Sequence, residues 1–292
     1  MKKVLITGID SFTGMHLAAY LEKFGYDLYG TSLFETGLKK YRCDITNKDD
    51  VKRVLQQVQP HYFIHLSGIS FTAHENTEEF YRVNTIGTTN ILDAFVELAI
   101  QPLKIILASS ATVYGNQGLE VLDESLCPKP SNHYGASKYA MEVLASSYFD
   151  KLPIILVRPF NYTGISQAEH FLIPKIIKHF REKKGKIELG NLHVMREFND
   201  VNFVCEVYKR VLECSAKSET VNICSSRGIK LLDVIDMMNT IAAYTIEVEV
   251  NPAFVRKDEI ASLTGSPKKL FNMIGKVEQK PFQITLKEMY EA

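Results

Sequence analysis

The 292-residue sequence has no excess of charge of either sign, because 34 Lys and Arg residues balance 34 Asp and Glu residues. A chain without a strong overall field is not drawn as a whole to nucleic acid or to an anionic membrane, so any phosphate that it binds must be held by local groups. The sequence also lacks an apolar run near the roughly 20 residues that a membrane-spanning helix needs. We therefore expect neither a nucleic-acid partner nor a membrane partner.

Cysteine is scarce and scattered. The odd number and irregular spacing of the cysteines indicate no disulfide framework, no metal site and no redox pair. We expect them to be small buried apolar side chains in a reduced, cytoplasmic protein that holds no metal. The five positions are Cys43, Cys127, Cys205, Cys214 and Cys224.

The first 160 residues alternate short apolar runs with helical periods. Continuous apolar runs are typical of strands that are covered on both faces. A helix is expected over 14–24, with Phe24 on its apolar face. Further helices are expected in the stretch that follows Asp44, over 84–99 and over 134–149. The alternation predicts an α/β fold with a Rossmann-type, doubly wound parallel sheet. The candidate strands are VLIT (4–7), DLYGTS (27–32), a short element ending near Cys43, YFIHLSG (62–68), KIILASS (104–110) and PIILVRPF (153–160).

The pattern changes after residue 160. An amphipathic helix follows, then a strand at 220–226 that returns to the main sheet, a helix at 231–243, a strand at 246–250 and a terminal helix. These elements indicate a smaller C-terminal mixed α/β substrate-binding domain beside the larger one. We expect the dinucleotide-binding domain to comprise 1–162 and 198–227, and the nucleotide-sugar-binding domain to comprise 163–197 and 228–292.

Two glycines follow the first predicted strand. Gly8 lets the chain bend tightly, and Gly14 lets the next helix pack closely on the strand. Ser11 stands midway, where a third glycine usually lets the backbone approach a pyrophosphate at the helix N-terminus. Either Ser11 holds the diphosphate farther out, or its hydroxyl donates a hydrogen bond that offsets the lost proximity, and we favour the second interpretation.

Two later motifs carry chemistry. SSATVYG (109–115) ends an apolar run, and YGASK (134–138) places Tyr134 and Lys138 on one face of a helix. A phenol has a pKa of about 10, which a nearby ammonium lowers. Tyr134 could then donate a proton to a carbonyl oxygen while hydride reaches the carbon, with Ser110 bonded to the same oxygen. Lys138 would also hold a nicotinamide ribose.

These motifs continue along essentially the whole chain. The chain resembles the extended short-chain dehydrogenase/reductases that act on nucleotide-linked sugars. Its stretch 251–270 is most similar to GDP-4-keto-6-deoxy-D-mannose reductases and related dTDP-4-keto-6-deoxyhexose reductases. The further motifs are CDIT with Asp44 and Ile45, HLSG (65–68), Asn84, RPFNYTG (158–164), REFNDV (196–201) and NPAFVRKDEIASLTGSPKKL (251–270).

The resemblance implies roles for individual residues. Ser110, Tyr134 and Lys138 would be catalytic. His74 and His133 could line the sugar pocket. A diphosphate on a chain of zero net charge calls for forked guanidinium donors, a role that the resemblance gives to Arg196 and Arg256. The expected substrate contacts are Ser70, Asn84, Asn161, Arg196, Arg256 and Glu259. The expected cofactor contacts are Gly8, Ser11, Phe12, Thr13, Gly14, Ser32, Asp44, Ile45, Leu66, Ser67, Gly68, Tyr134, Lys138 and Pro159.

Dehydratases of this group carry Asp-Glu directly after the catalytic hydroxyl residue, where this chain has Ala111 and Thr112. We therefore expect a reductase that converts a dTDP- or GDP-linked 4-keto-6-deoxyhexose to the 6-deoxyhexose, for a bacterial-type surface polysaccharide such as lipopolysaccharide O-antigen. An NAD-dependent 4-epimerase uses the same three residues and remains the alternative. A non-catalytic dinucleotide sensor is the third interpretation.

The cofactor is expected to be NADP(H), although NAD(H) stays open. Ser32 ends the second strand, where NAD-preferring relatives have an acid, and its lack of charge removes repulsion against a 2′-phosphate. However, Leu33 stands where NADPH reductases often have arginine, and Glu35 could reach the ribose. The basic residues that could contact the phosphate are Lys39, Lys40 and Arg42.

Helices 88–99 and 134–149 carry more apolar residues than one sheet face covers. Relatives commonly pair these two helices in a four-helix interface, so the resemblance implies a homodimer through them.

Overall fold

The computed structural model describes residues 1–71, 74, 76–255 and 259–292. In these ranges the strands are β1 (Lys3–Thr7), β2 (Asp27–Ser32), β3 (Lys40–Arg42), β4 (Tyr62–His65), β5 (Lys104–Ala108), β6 (Ile154–Pro159), β7 (Tyr162–Thr163), β8 (Lys186–Leu189), β9 (Met195–Glu197), β10 (Asn199–Asp200), β11 (Glu219–Ile223), β12 (Gly228–Lys230), β13 (Glu247–Val250) and β14 (Ser262–Leu263). The α-helices are α1 (Phe12–Glu22), α2 (Lys48–Val58), α3 (Thr77–Glu79), α4 (Thr88–Glu97), α5 (His133–Ser146), α6 (Leu172–Arg181), α7 (Val201–Glu213), α8 (Leu231–Ala242), α9 (Lys268–Ile274) and α10 (Phe282–Glu291). A π-helical segment, Phe80–Gly87, joins α3 to α4.

The main sheet is parallel, with the strand order β11-β6-β5-β4-β1-β2-β3. Its central strands β1, β4, β5 and β6 are buried on both faces because helices cover each side, whereas the edge strand β3 is half-buried or exposed. One face packs against α1 and α7, and the other against α2, α4 and α5. The predicted doubly wound α/β fold is confirmed.

The chain changes direction across the sheet between β1 and β4. From β1 it builds outward through β2 and β3, and it then crosses back to β4 and continues through β5 and β6 to β11. Thr7 and His65 face each other in register at the carboxyl ends of these two central strands. A crevice at such a switch point is where open α/β sheets bind ligands.

Helix α2 has the predicted buried stripe, in which Val51, Val54, Leu55 and Val58 are all buried. The prediction that Phe24 lies on the buried apolar face of the first helix is wrong. Helix α1 ends at Glu22, before a turn at Gly25 with φ +75°, and the Phe24 side chain is 50% exposed. The expectation for cysteine is wrong for Cys127, which is exposed, while three cysteines are buried and one is half-buried.

A second apolar core lies in the segments after residue 160. Helices α6, α8 and α10 pack there with β8 and β13, and Ile176, Phe180, Val234, Met238 and Leu286 are fully buried. The borders of the two domains at 162, 197 and 227 stay a prediction. Within the described residues no helix combines the length and the apolar character that crossing a membrane requires.

Candidate active site

The turn between β1 and α1 has the geometry of an anion cradle. Gly8 has φ +67°, which favours glycine, and a Cβ on Gly14 would lie 2.3 Å from the Gly8 carbonyl oxygen. Ser11 is the N-cap of α1, and its hydroxyl oxygen accepts the Gly14 N–H at 3.1 Å. Because that oxygen acts as an acceptor, the Ser11 hydroxyl hydrogen is left for another acceptor at the helix N-terminus. These residues fit a diphosphate.

The first turn of α1 is tied to the segment after β6. The hydroxyls of Thr13 and Tyr162 are 2.6 Å apart, and the Phe12 ring stacks on Tyr162 with 6.1 Å between ring centroids. Phe12 and Thr13, both expected to contact cofactor, therefore also hold Tyr162 in place. Tyr162 was not among the predicted site residues, although it directly follows Asn161 in the RPFNYTG motif.

A buried histidine orders the turn after β4. Thr88 donates its hydroxyl to the Asn84 carbonyl, so it accepts from His65 Nε2–H at 3.0 Å. His65 Nδ1 is then the acceptor for the Thr7 hydroxyl at 2.7 Å, and the Thr7 oxygen accepts the N–H groups of Leu66 and Ser67. Burial, with the Lys138 charge, lowers the pKa of His65 to about 3. A neutral His65 therefore fixes the predicted cofactor turn, a role that its motif HLSG alone does not reveal.

Asn84 does not have the exposed side chain that a substrate contact requires. Its side chain is 0% exposed, and its amide accepts from Ile69 N–H at 2.9 Å and donates to Ile69 O and to Ser137 Oγ at 3.1 Å each. Asn84 therefore positions the loop after β4 against α5 and has no free face for a sugar. A Cβ on Gly68 would lie 2.8 Å from Asn84 Oδ1 and 3.3 Å from Lys138 Nζ, so glycine leaves room for both groups.

Ser110 and Tyr134 meet at the carboxyl end of β5. Ser110 is the N-cap of a 3₁₀ turn, and its Oγ accepts the Thr112 N–H at 3.2 Å and the Thr112 hydroxyl at 2.8 Å. Burial raises the pKa of Tyr134, and a hydrogen bond with the Ser110 hydroxyl lowers it only in part. The expected lowering of this pKa by Lys138 is wrong for this structure, because burial of the phenol dominates and the Ser110 hydroxyl, not Lys138, is the group that opposes it.

Lys138 is buried one helical turn beyond Tyr134. Its ammonium donates to the Ala108 carbonyl oxygen at 2.8 Å, at the end of β5. Burial lowers the pKa of Lys138 to about 8, and the Glu142 carboxylate opposes that shift. The predicted triad of Ser110, Tyr134 and Lys138 is thus assembled around the end of one strand, with Lys138 anchored to the strand itself.

A buried ion pair holds α5 in this position. Arg158 on β6 donates Nε–H and an Nη2–H to the two carboxylate oxygens of Glu142, at 2.9 and 2.6 Å, and both side chains are buried. The Ser109 hydroxyl donates to the same carboxylate at 2.5 Å. Glu142 lies four residues after Lys138 on one helix face, which is the only sequence signal for its role.

Two predicted substrate residues contact each other. Arg196 donates to Glu259 at 2.5 Å and to the Met195 carbonyl at 2.8 Å, and its side chain is buried. In this structure the guanidinium is thus engaged by a carboxylate and a backbone carbonyl, and its contact with a diphosphate stays a prediction. Ser70 and Asn161 are exposed, as substrate contacts would be, and Arg256 lies outside the described residues.

The residue after Arg196 on β9, Glu197, is a carboxylate that the sequence did not single out. Glu197 is fully buried and accepts the backbone N–H groups of Ser225 at 2.7 Å, Ser226 at 3.2 Å and Gly265 at 2.7 Å, together with the Asn199 amide. Burial raises the pKa of Glu197. Its contacts join three chain segments beneath the predicted substrate region.

Two of the predicted cofactor contacts, Asp44 and Ile45, follow strand β3. Ile45 is buried against Gly87, and Asp44 accepts the N–H and hydroxyl of Thr46 at 2.9 and 2.8 Å. Lys39 pairs with Asp27 at 2.5 Å, at the amino end of β2 and away from the glycine turn. Lys39 therefore does not occupy the 2′-phosphate position for which it was a candidate.

The two candidate pocket histidines have local partners. His74 pairs with Glu79 at 2.7 Å, and His133 Nδ1 lies 3.1 Å from the Tyr81 hydroxyl. Neither contact gives the histidine a catalytic function.

The geometry and the sequence agree with a known family. The model of the NAD dependent epimerase/dehydratase family matches residues 4–224, which is most of the chain. The chain belongs to this family. Its sheet, glycine turn and Ser–Tyr–Lys set are thus the features of an extended short-chain dehydrogenase/reductase.

Several family members align over nearly the full length. The chain is 37% identical to GDP-6-deoxy-D-talose 4-dehydrogenase of Aggregatibacter actinomycetemcomitans, over 99% of this chain and 97% of that protein. It is 28% identical to GDP-6-deoxy-D-mannose reductase of Pseudomonas aeruginosa, over 100% and 95%. A crystal structure from Burkholderia cenocepacia has a TM-score of 0.93 at 36% identity, over 99% and 97%. RMD from Pseudomonas aeruginosa, in complex with NADPH, has a TM-score of 0.88 at 25% identity, over 100% and 98%.

Proposed function

We propose that this family member is an NAD(P)H-dependent reductase of the C4 keto group of a nucleotide-linked 4-keto-6-deoxyhexose. The observation that carries the proposal is the convergence of Ser110, Tyr134 and Lys138 at the end of β5. The two family members named above act, by their names, at the same kind of sugar.

The hydrogen bonds between the Thr112 and Ser110 hydroxyls leave Ser110 as a hydrogen-bond donor. The Ser110 oxygen already accepts two hydrogen bonds from Thr112, so its own hydrogen is left for the Tyr134 oxygen or for a substrate carbonyl. When Tyr134 gives its proton to the carbonyl oxygen, the Ser110 hydroxyl and the Lys138 charge stabilise the phenolate. The high pKa of Tyr134 keeps it protonated beforehand, as an acid for reduction must be.

The residues after Ser110 argue against dehydration. Ala111 is 1% exposed and carries no acid or base, and the Thr112 hydroxyl is used to support Ser110. A 4,6-dehydratase needs two carboxyl groups at these positions for water elimination. Reduction at C4 requires neither of them.

A nicotinamide dinucleotide would supply the hydride when bound. The glycine turn would hold its diphosphate through backbone N–H groups and the Ser11 hydroxyl, and Lys138 would bond the ribose beside the nicotinamide. The structural relative from Pseudomonas aeruginosa binds NADPH. We assign the remaining predicted contacts, Phe12, Ser67, Gly68 and Pro159, to the same groove.

GDP is the proposed nucleotide, because both family members named above act on GDP-linked 6-deoxyhexoses by name. Ser70, Asn161, Arg196 and Arg256 would contact the sugar diphosphate. Arg196 would then exchange the Glu259 carboxylate for a phosphate, since both ligands match its forked donors. The product would serve a surface polysaccharide.

A homodimer through α4 and α5 is part of the proposal. These helices and the π-helical segment before α4 expose apolar side chains that a four-helix interface would cover. They are Ile86, Val96, Val143 and Leu144. Sedimentation equilibrium tests this, and a monomeric mass would reject it.

The test is incubation of the purified chain with GDP- and dTDP-linked 4-keto-6-deoxyhexoses and NADH or NADPH, with products identified by NMR. The proposal predicts a 6-deoxyhexose from the GDP-linked substrate with consumption of reduced cofactor. Redox-neutral interconversion of nucleotide sugars would instead identify a 4-epimerase. Cofactor binding without turnover of any substrate would indicate a sensor.

A further inference from the structure

The hydroxyl of Ser32 at the end of β2 is not free. Its oxygen accepts the backbone N–H groups of Phe34 at 3.3 Å and Glu35 at 3.1 Å. The one hydrogen of Ser32 is therefore left for donation, and Ser32 is among the groups that lower the pKa of the Asp10 carboxyl. Burial alone would raise the pKa of Asp10, but the hydrogen bond from Ser32 and the Lys40 ammonium hold it below its ordinary value.

Asp10 lies in the glycine turn, which is fixed against β2. The backbone N–H groups of Gly8 and Ile9 both donate to the Thr31 carbonyl, at 3.1 and 3.2 Å. Lys40, on the neighbouring strand β3, contacts Asp10 at 3.0 Å and Glu35 at 2.6 Å. Two carboxylates and one ammonium thus surround Ser32, and their net charge is negative.

The end of β2 is where this fold presents a group to the adenosine ribose of a dinucleotide, usually an acid that accepts from the 2′-hydroxyl. We infer that Asp10 of the glycine turn takes the place of the acid that β2 lacks, and that it makes the chain select NADH over NADPH. The inference rests on the proposed cofactor role of the turn, and it reverses the expectation drawn from Ser32 alone.

Lys40 does not reverse this selection. Its ammonium is shared between two carboxylates at hydrogen-bond distance, so a 2′-phosphate would have to displace one of them and would still face the other. Like charges at such separations disfavour binding. A ribose diol, in contrast, donates to a carboxylate that Ser32 and Lys40 already hold in place.

Isothermal titration calorimetry of the full chain with NADH and with NADPH tests the inference without turnover. Wild type is expected to bind NADH at least about tenfold more tightly, and Asp10→Asn should reduce that ratio by about tenfold. Asp27→Asn is the matched control, because Asp27 is an acid paired with Lys39 at the opposite end of β2. The ratio of NADH affinity to NADPH affinity in Asp27→Asn should equal that of wild type.

Glu35→Gln provides a second variant, on an exposed side chain, if Asp10→Asn does not fold. It should strengthen NADPH binding and leave NADH binding within about twofold. Wild type that prefers NADPH, or ratios unchanged from wild type in every folded variant of Asp10 and Glu35, would overturn the inference. A preference for NADPH with turnover intact would overturn the inference on NADH selection and leave the proposed function standing. A chain that binds neither dinucleotide would overturn both.

Discussion

The Lys138 ammonium donates to the carbonyl oxygen of Ala108 at 2.8 Å, and this contact fixes the active-site helix to the end of strand β5. Ala108 is two residues before Ser110, and Lys138 is four residues after Tyr134. Together with the Glu142–Arg158 pair, this hydrogen bond positions the helix that carries Tyr134 relative to Ser110 just after the strand. It also keeps a positive charge in a buried crevice, where it acts more strongly than in water.

Replacing the proposed acid should abolish chemistry and leave binding intact. Tyr134→Phe is expected to lower kcat by about 10²- to 10⁴-fold, the range for loss of a general acid, with dinucleotide affinity changed by less than about threefold. Steady-state kinetics and calorimetry measure the two quantities. Tyr139→Phe, five residues along the same helix and outside the triad, is the control and should keep wild-type kcat. Equal activity of the two variants would contradict the role of Tyr134.

Cofactor affinity should fall as pH rises through about 8. Lys138 is protonated below its lowered pKa of about 8 and neutral above it, so raising the pH removes the charge that we propose to hold the ribose and to stabilise the phenolate. Titrations at about pH 7 and about pH 9.5 should differ by about tenfold in Kd. Lys138→Met should bind weakly at both pH values, with no such dependence. Equal wild-type affinity at the two values would show that Lys138 does not hold the cofactor.

Protonation of His65 should destabilise the fold in mild acid. Its folded pKa of about 3 lies below the unfolded value of about 6.5, so only the unfolded state takes up the proton as pH falls through 6.5. The contribution of neutral His65 is complete above about pH 6.5 and decreases by about 1.4 kcal/mol per pH unit below it, or about 2 kcal/mol at pH 5.

Urea unfolding at several pH values compares this decrease with that of His65→Gln, which should lack it. His61→Gln is the control, because His61 is an exposed histidine directly before strand β4, which ends at His65. Parallel pH profiles for wild type and His65→Gln would contradict the assignment of a neutral, buried imidazole.

Replacing one member of the Glu142–Arg158 pair should lower the free energy of unfolding far more than replacing both members. Glu142→Gln or Arg158→Met leaves a buried charge without its partner, with an expected loss of about 3–5 kcal/mol in the free energy of unfolding. The double variant should recover most of that loss. Chemical denaturation measures all four proteins, and additive losses in the double variant would show that the two side chains do not act as a pair.

Much of the fold could be predicted because it depends on local periodicity. The apolar runs before Gly8, Ser67 and Ser110 specify buried strands, and the four-residue spacing of Tyr134 and Lys138 specifies one helix face. Each of these signals is contained within a few neighbouring residues, so the sequence alone was enough for the sheet and for the location of the triad.

The partners of polar side chains could not be predicted in the same way. Asn84 bonds Ile69 and Ser137, and Arg196 bonds Glu259, 63 residues away. Such pairs depend on how distant segments pack, and a motif does not show whether a polar group faces substrate or protein. The raised pKa of Tyr134 could not be predicted for the same reason, since it depends on how deeply the folded chain buries the phenol.

Isotope transfer tests the central claim most directly. The chain is incubated with a GDP-linked 4-keto-6-deoxyhexose and reduced cofactor deuterated at the transferring position, and the product is analysed by NMR. Delivery of hydride to the carbonyl carbon, with the proton supplied by Tyr134, predicts one deuterium at sugar C4 for each cofactor oxidised. Product without deuterium at C4, or sugar interconversion with no net cofactor oxidation, would contradict the account.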